Sequence, residues 1–321
     1  LGNHNEMLGG FSPTQQPTST TGRIEALDYY HQVLERDGRE CLSEELKRSI
    51  NSDASQRPIT TKAREINLKD VGFGNLTNQI TGISRAIMRL EKLEQLFIAN
   101  SPITIDNFWV DIEPNSEYYT ESEEWSWSNF TSLIDIEIYN CPGLTRLPID
   151  MLCEVPAVQS LNISANYSIS GEQLKADWES IIESPMGKSL QILYMGFNNL
   201  RETPSHEHLK QMVKLGYLDC TNNRLERIHP FGKDVAPTTL LYDNNRISEI
   251  KAADDGYFCG LSQLETFSCS HNIIEKMPDI FTSRSVYGIA TVNFSSNRIS
   301  SFENGESWRG VNTSTLNLAN N

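Results

Sequence analysis

Asn198, Asn223, Asn245, Asn272, Asn297 and Asn321 recur at steps of 25, 22, 27, 25 and 24 residues, and Asn166 stands at a looser position upstream. An asparagine side chain carries two N–H donors and one carbonyl acceptor. The chemistry such a series can do is backbone hydrogen bonding, repeated at each turn of the chain. Groups suited to catalysis are scattered by comparison. His206 and His208 lie two apart, which on a helix puts them on different faces and argues against a shared metal. His271 stands without a readable Asp or Ser partner set. The six cysteines, Cys41, Cys141, Cys153, Cys220, Cys259 and Cys269, form no C-x-x-C pair, so they read as buried thiols acting as small hydrophobes. There is no G-x-S-x-G, H-E-x-x-H or P-loop motif. No catalytic residue, metal ligand or cofactor is expected, and the chain reads as a non-enzyme.

A second constellation lies in residues 104–132, TIDNFWVDIEPNSEYYTESEEWSWSNFTS, with seven acidic residues, no Lys or Arg, and aromatics that include Phe108, Trp109, Trp125, Trp127 and Phe130. Carboxylates beside aromatic rings could bind a cation or stack on a sugar. The spacing matches no EF-hand loop, so the preferred reading packs the aromatics inward and leaves the acids solvated.

An amide can close a turn only if something regular precedes it, and here it does. Residues 189–204, SLQILYMGFNNLRETP, fit L-x-x-L-x-L-x-x-N-x-L through Leu190, Leu193, Met195, Asn198 and Leu200. The same line returns in LGYLDCTNNRL, LETFSCSHNII and IATVNFSSNRI, more weakly in TLLYDNNRI, and the chain stops within a further copy, TLNLANN. Upstream copies are looser: VQSLNISANYSI keeps Asn166, LIDIEIYNCPGL has Cys141 in the amide's place, LEQLFIANSPI has Ser101, and EINLKDVGF reads as a degenerate first strand. Apolar residues two apart point to one side of a short strand. The turn after it leaves backbone groups facing the interior, each costing about 1–3 kcal/mol if unpaired. One asparagine per turn, stacked in register, would satisfy them as a ladder.

This pattern resembles the leucine-rich repeat family over roughly residues 61–321. The resemblance implies an α/β repeat solenoid, a curved horseshoe with a parallel concave sheet and a mixed helical and irregular convex side. Residues 1–22, rich in Ser, Thr, Gln, Pro and Gly, read as a disordered linker or tail. Residues 23–60 read as a helical N-terminal cap, with Leu42, Leu46 and Ile50 on one face. Helical stripes are expected at Ile80, Ile83, Ile87 and Leu90, at Leu174, Trp178 and Ile181, and at Leu209, Met212 and Val213.

In such a solenoid the residues between the inward leucines face the concave surface. One row would run Phe97, Glu137, Asn162, Tyr194, Asp219, Leu241, Ser268, Asn293 and Asn317. Apolar and aromatic members gather in the central repeats: Ile192, Tyr194, Phe197, Tyr217 and Leu241, with Asp219 and Asp243 beside them. A sheet face open to water has no folding reason for such a group, and aromatic anchors ringed by polar groups have the composition of binding hot spots. The two aspartates would favour a basic or hydroxyl-rich partner.

A formal net charge of −15 argues against nucleic acid and against anionic lipid. No apolar run is long enough to span a membrane. The irregular repeats, acidic charge and polar leader resemble secreted or surface-anchored, lipoprotein-type leucine-rich repeat proteins of bacteria. That likeness implies an extracellular or outer-surface binding module, lipid-anchored if a segment before residue 1 has been removed. The leading expectation is a protein or peptide ligand on the concave face, host-derived ligands included. Glycan recognition through exposed aromatics is the alternative, and a structural or adhesin spacer the third. Six N-x-S/T sequons follow from an Asn- and Ser-rich repeat, and no N-glycosylation is expected.

Overall fold

A computed structural model describes residues 65–68, 83–84, 92–110, 126–254, 256–281, 289–302, 308 and 311–321. The expected linker at 1–22, the helical cap at 23–60, and Trp125 of the acidic segment lie outside these residues.

Fourteen strands are described. In chain order they are β1 (Glu65–Leu68), β2 (Ile83–Ser84), β3 (Gln95–Ala99), β4 (Trp109–Val110), β5 (Asp135–Tyr139), β6 (Ser160–Asn162) and β7 (Ile192–Tyr194). There follow β8 (Tyr217–Asp219), β9 (Thr239–Leu241), β10 (Thr266–Ser268), β11 (Lys276–Met277), β12 (Ile289–Asn293), β13 (Ser301–Phe302) and β14 (Thr313–Asn317). Ten of them form one sheet in the order β1-β3-β5-β6-β7-β8-β9-β10-β12-β14. Every pairing in it is parallel. The two short pairs β2–β4 and β11–β13 stand apart from it.

The register follows from the leucine spacing. Leu161, Leu193, Leu218, Leu240, Phe267 and Val292 are successive partners, all buried, so each repeat delivers its middle apolar residue to one interior row. Met195, Cys220, Tyr242, Cys269 and Phe294 form the next interior row and are likewise buried. Cys141, Cys220, Cys259 and Cys269 are buried free thiols, and Cys153 is partly exposed. Burial pushes the Cys141 and Cys259 thiols up to about 12, which keeps them protonated and unreactive at neutral pH.

Helices occupy the return path in the middle of the solenoid: α1 (Ile149–Leu152), α2 (Gly171–Glu183), α3 (Pro185–Ser189) and α4 (His206–Leu209). Ser170 caps α2 by accepting from the Gln173 N–H at 3.2 Å. Leu174, Trp178, Ile181 and Ile182 bury one face of it.

Two expected stripes differ. Ile83 belongs to β2, and its N–H donates to Phe108 C=O at 2.8 Å beside the pairing with Trp109, while Ile80, Ile87 and Leu90 of that stripe lie outside the described residues. Leu209 and Met212 are buried, but α4 ends at Leu209 and Val213 turns outward, 55% exposed. In the acidic segment, Phe108, Trp127 and Phe130 are buried and stack in series with Trp109.

Candidate functional site

The amide series forms a continuous ladder along one edge of the sheet. Asn223 is typical. Its Oδ1 accepts from Leu200 N–H at 3.0 Å, and its Nδ2 donates to Met195 C=O at 2.9 Å and Cys220 C=O at 3.1 Å. Asn198, Asn245, Asn272, Asn297 and Asn321 repeat the arrangement: each Nδ2 donates to a carbonyl of its own turn and to one of the turn before. Asn166 donates to Ile138 and Ile163 C=O, and its Oδ1 accepts from Cys141 N–H. Where Ser101 replaces the amide, its hydroxyl donates to Ala99 C=O at 3.0 Å.

A second regularity lies one residue before the ladder. Asn100, Asn140, Ala165, Phe197, Asn222, Asn244, His271, Ser296 and Asn320 all have φ between 51° and 59°. Asparagine holds five of these nine positions because its short side chain tolerates the left-handed region. The sequence carries this signal as Asn-Asn doublets at 222–223, 244–245 and 320–321, where the first asparagine takes the left-handed turn and the second the ladder. Phe197 is the bulky exception, strained at φ 58° and 50% exposed.

A third device sits in the solvent-facing row. Asn162, Asp219, Asn293 and Asn317 each accept, through Oδ1, the N–H two residues on, at 2.8–3.1 Å. This Asx bond starts the turn. Tyr194 and Leu241 occupy the same row and cannot make it. One repeat, 192–197, therefore gives up both the Asx bond and the left-handed asparagine in favour of aromatics. Local rules broken together without gain to the fold are the mark of a functional surface.

The structure brings these residues together. Ile192 pairs with Tyr217 and Tyr194 with Asp219, and Asp219 pairs with Leu241. The Tyr194 and Tyr217 ring centroids are 5.1 Å apart at 48°. Ile192, Tyr194, Tyr217, Asp219, Leu241 and Asp243 are all part-exposed. Asp243 Oδ1 accepts from the Ser268 hydroxyl and the Ser270 N–H, both at 2.6 Å.

Burial raises the Asp219 carboxyl above its usual range; its bonds to Thr221 pull the other way, and the Asp243 charge adds to the rise. Burial, then Asp219 and Tyr194, push the Tyr217 hydroxyl up to about 12. Burial and the nearby Asp219, Glu137 and Asp135 charges raise Tyr194. Both tyrosines are therefore neutral donors at physiological pH.

Two predictions follow from this geometry. Phe197→Asn relieves the strained φ and should raise stability by about 1 kcal/mol, read as a shift in the urea midpoint. Asp219→Asn tests the raised carboxyl. The folded state holds the Asp219 proton more tightly than the unfolded chain does. Its contribution is therefore full below the unfolded pKa of about 4 and lost as pH rises through the folded value. Asn keeps the acceptor for Thr221 N–H, so the variant should gain on wild type as pH rises toward neutrality, the two converging near pH 4 and below in thermal melts.

The remaining candidates are accounted for structurally. His208 Nε2 lies 3.1 Å from Glu183 and its Nδ1 3.0 Å from Ser205 Oγ; His206 Nδ1 bonds Pro230 C=O, and His271 Nδ1 meets Ser270 Oγ. Among the described residues no group of three or more His, Cys, Asp or Glu is placed to hold a metal ion, and no helix is long and apolar enough to cross a membrane.

No protein-family model matches the chain. Among solved structures it is similar to a leucine-rich repeat protein of Bacteroides eggerthii, 40% identical with a TM-score of 0.71, covering 87% of this chain and 46% of that one. It is also similar to a leucine-rich repeat protein of Bacteroides thetaiotaomicron, 40% identical with a TM-score of 0.66, covering 98% of this chain and 37% of that one. Among curated proteins, bovine lumican is 36% identical over 84 residues, 26% of this chain and 23% of lumican. The chain thus spans less than half the length of these relatives, none of which is named for an enzymatic activity.

Proposed function

We propose, from the premise that the chain is a leucine-rich repeat protein, that its concave sheet is the binding face for a protein or peptide partner. The contact surface is Ile192, Tyr194, Phe197, Tyr217, Asp219, Leu241 and Asp243. The observation that carries this reading is repeat 192–197. There an exposed phenylalanine is held at φ 58°, and Tyr194, packed against Tyr217, stands where the neighbouring repeats have the turn-forming Asn162 and Asp219. The Phe197 N–H donates to Thr221 C=O at 2.9 Å as in the other turns, so the turn holds the φ while the ring stays half-exposed and open to a ligand. The ladder asparagines have the complementary role of holding the turns from which these side chains project.

Such a module works outside the cell or on its surface, where a ligand reaches the sheet directly. The likeness to leucine-rich repeat proteins of Bacteroides supports a bacterial source, and a lipid anchor ahead of residue 1 belongs to the same reading. Glycan recognition has less support: Trp127, one of the tryptophans available for stacking, is 3% exposed and packed between Trp109 and Phe130. The Tyr194–Tyr217 pair is a surface that either ligand class could use.

The test compares capture of host extracellular proteins and mucin glycans by wild type and by Tyr194→Ala/Tyr217→Ala, matched for thermal stability. A protein band retained by wild type and reduced at least about tenfold in the double variant is the expected result, since aromatic anchors each carry about 2 kcal/mol or more. Equal capture by both would remove the patch from consideration. Retention of glycan alone would replace the protein reading with the sugar one.

A further inference from the structure

The concave patch has a charge signature that narrows its ligand. Neither solvent-facing row of β5 to β10 contains a lysine or arginine, so no cation of the sheet itself neutralises Asp219 or Asp243. Among the described residues, neither aspartate forms an ion pair. The hydrogen bonds they accept, from Thr221, Ser268 and Ser270, come from neutral donors and leave the charge uncompensated. Burial is the main cause that raises the Asp219 carboxyl, and the nearby Asp243 charge adds a smaller push in the same direction.

The aromatic pair adjoins this charge. Tyr194 and Asp219 are cross-strand partners, about 4.8 Å apart in strand spacing. A cation lying over the tilted Tyr194–Tyr217 rings is therefore within contact distance of a carboxylate. A cation–π contact acts within about 6 Å of a ring centroid and strengthens as water is excluded. Gly196 is buried beside the carboxylate and lets the two turns pack closely, since a Cβ there would come 3.2 Å from Thr221 Oγ1 and 3.6 Å from Asp219 Oδ1.

Resting on the reading of the concave sheet as a binding face, we propose that its ligand is an arginine-bearing peptide segment, one guanidinium stacking on Tyr194 and Tyr217 while pairing with Asp219, and a second cationic residue meeting Asp243. Arginine fits better than lysine because its planar group stacks on a ring and forks toward a carboxylate at once. Leu241 and Phe197 take the apolar residues between the cations.

The test uses three labelled peptides and fluorescence anisotropy: Gly-Gly-Arg-Leu-Arg-Gly-Gly, the same sequence with citrulline for both arginines, and the same with glutamate. Citrulline keeps the shape and removes the charge. The arginine peptide should bind wild type about tenfold tighter than the citrulline peptide, with the glutamate peptide weaker still. Asp219→Asn/Asp243→Asn should erase the advantage of arginine over citrulline. Tyr194→Ala/Tyr217→Ala should weaken both peptides. Equal binding of arginine and citrulline peptides overturns the inference. If the tyrosine variant still weakens both, the binding face itself stands. An arginine advantage that survives in the carboxamide variant also overturns it, since attraction would then come from the net charge of −15 rather than from this site. Failure of every peptide to bind overturns it as well, and the capture experiment then judges the face independently.

Discussion

Asn223→Ala should cost about 3–4 kcal/mol, measured as the shift in denaturation midpoint. The size follows from which backbone groups lose their only partner. Met195 C=O and Cys220 C=O each receive a second amide, from Asn198 and Asn245, so both keep one donor after the change. Leu200 N–H accepts no such substitute: Asn223 Oδ1 is its hydrogen-bond acceptor, and the site is buried. One orphaned buried N–H costs about 1–3 kcal/mol and two lost hydrogen bonds about 1 kcal/mol each. Asn223→Asp sharpens the test. It keeps the acceptor, loses the amide donors and places a carboxylate against the carbonyls of Met195, Cys220 and Thr221. Such a carboxyl has its folded pKa raised, so its stability is greatest below the unfolded value of about 4 and falls as pH rises through the folded one. The Asp variant should therefore be damaged most at neutral pH and partly recovered in acid, whereas the Ala variant should carry a deficit that pH leaves unchanged.

The second large effect is in the interior. Phe267 is fully buried, and its ring lies 5.5–6.1 Å, centroid to centroid, from Tyr242, Phe258, Phe281 and Phe294. Those rings come from neighbouring repeats and from the convex return, so one side chain joins both walls of the solenoid. Phe267→Ala should cost about 4 kcal/mol through lost transfer energy and the residual cavity. Phe267→Leu, which keeps most of the volume, should cost about 1–2 kcal/mol. Because each repeat touches only its neighbours, the damage should be regional. Amide hydrogen exchange should accelerate most in β9, β10 and β12 and least in β5 and β6. Uniform acceleration across all of them would instead mean that the array unfolds as one unit.

The fold was legible because a single spacing does two jobs. Counting from each leucine gives the buried row, and the same count gives the strand register, so Tyr194, Asp219 and Leu241 could be placed in one solvent-facing row without coordinates. What the count misses is conformation and distant pairing. The left-handed residue before each ladder asparagine is visible in sequence only where it is itself asparagine. At Phe197 nothing local announces a positive φ, and the strain appears only when neighbouring repeats are compared in space. Ile83 shows a related limit: it shares helical spacing with Ile80, Ile87 and Leu90, yet it pairs as a strand with Trp109, 26 residues on. The charge of the patch was half legible. The aspartates were plain, but the absence of a compensating cation on the sheet depends on knowing which residues share a face.

The uneven convex side has a consequence for curvature. Packed helices need about 8–10 Å between axes, while strands are spaced about 4.8 Å apart. Where α1, α2 and α4 line up behind β6, β7 and β8, the outer wall is longer than the inner one, and the stack must bend there. Further along, β11 and β13 pair as strands on the outer wall, so outer and inner spacings match and the stack runs straighter. The repeats that carry Tyr194 and Tyr217, whose ring centroids lie 5.1 Å apart, are among those backed by this wider spacing. A return helix at 171–183, on the wall away from the patch, thereby bears on the curvature of the surface that carries it.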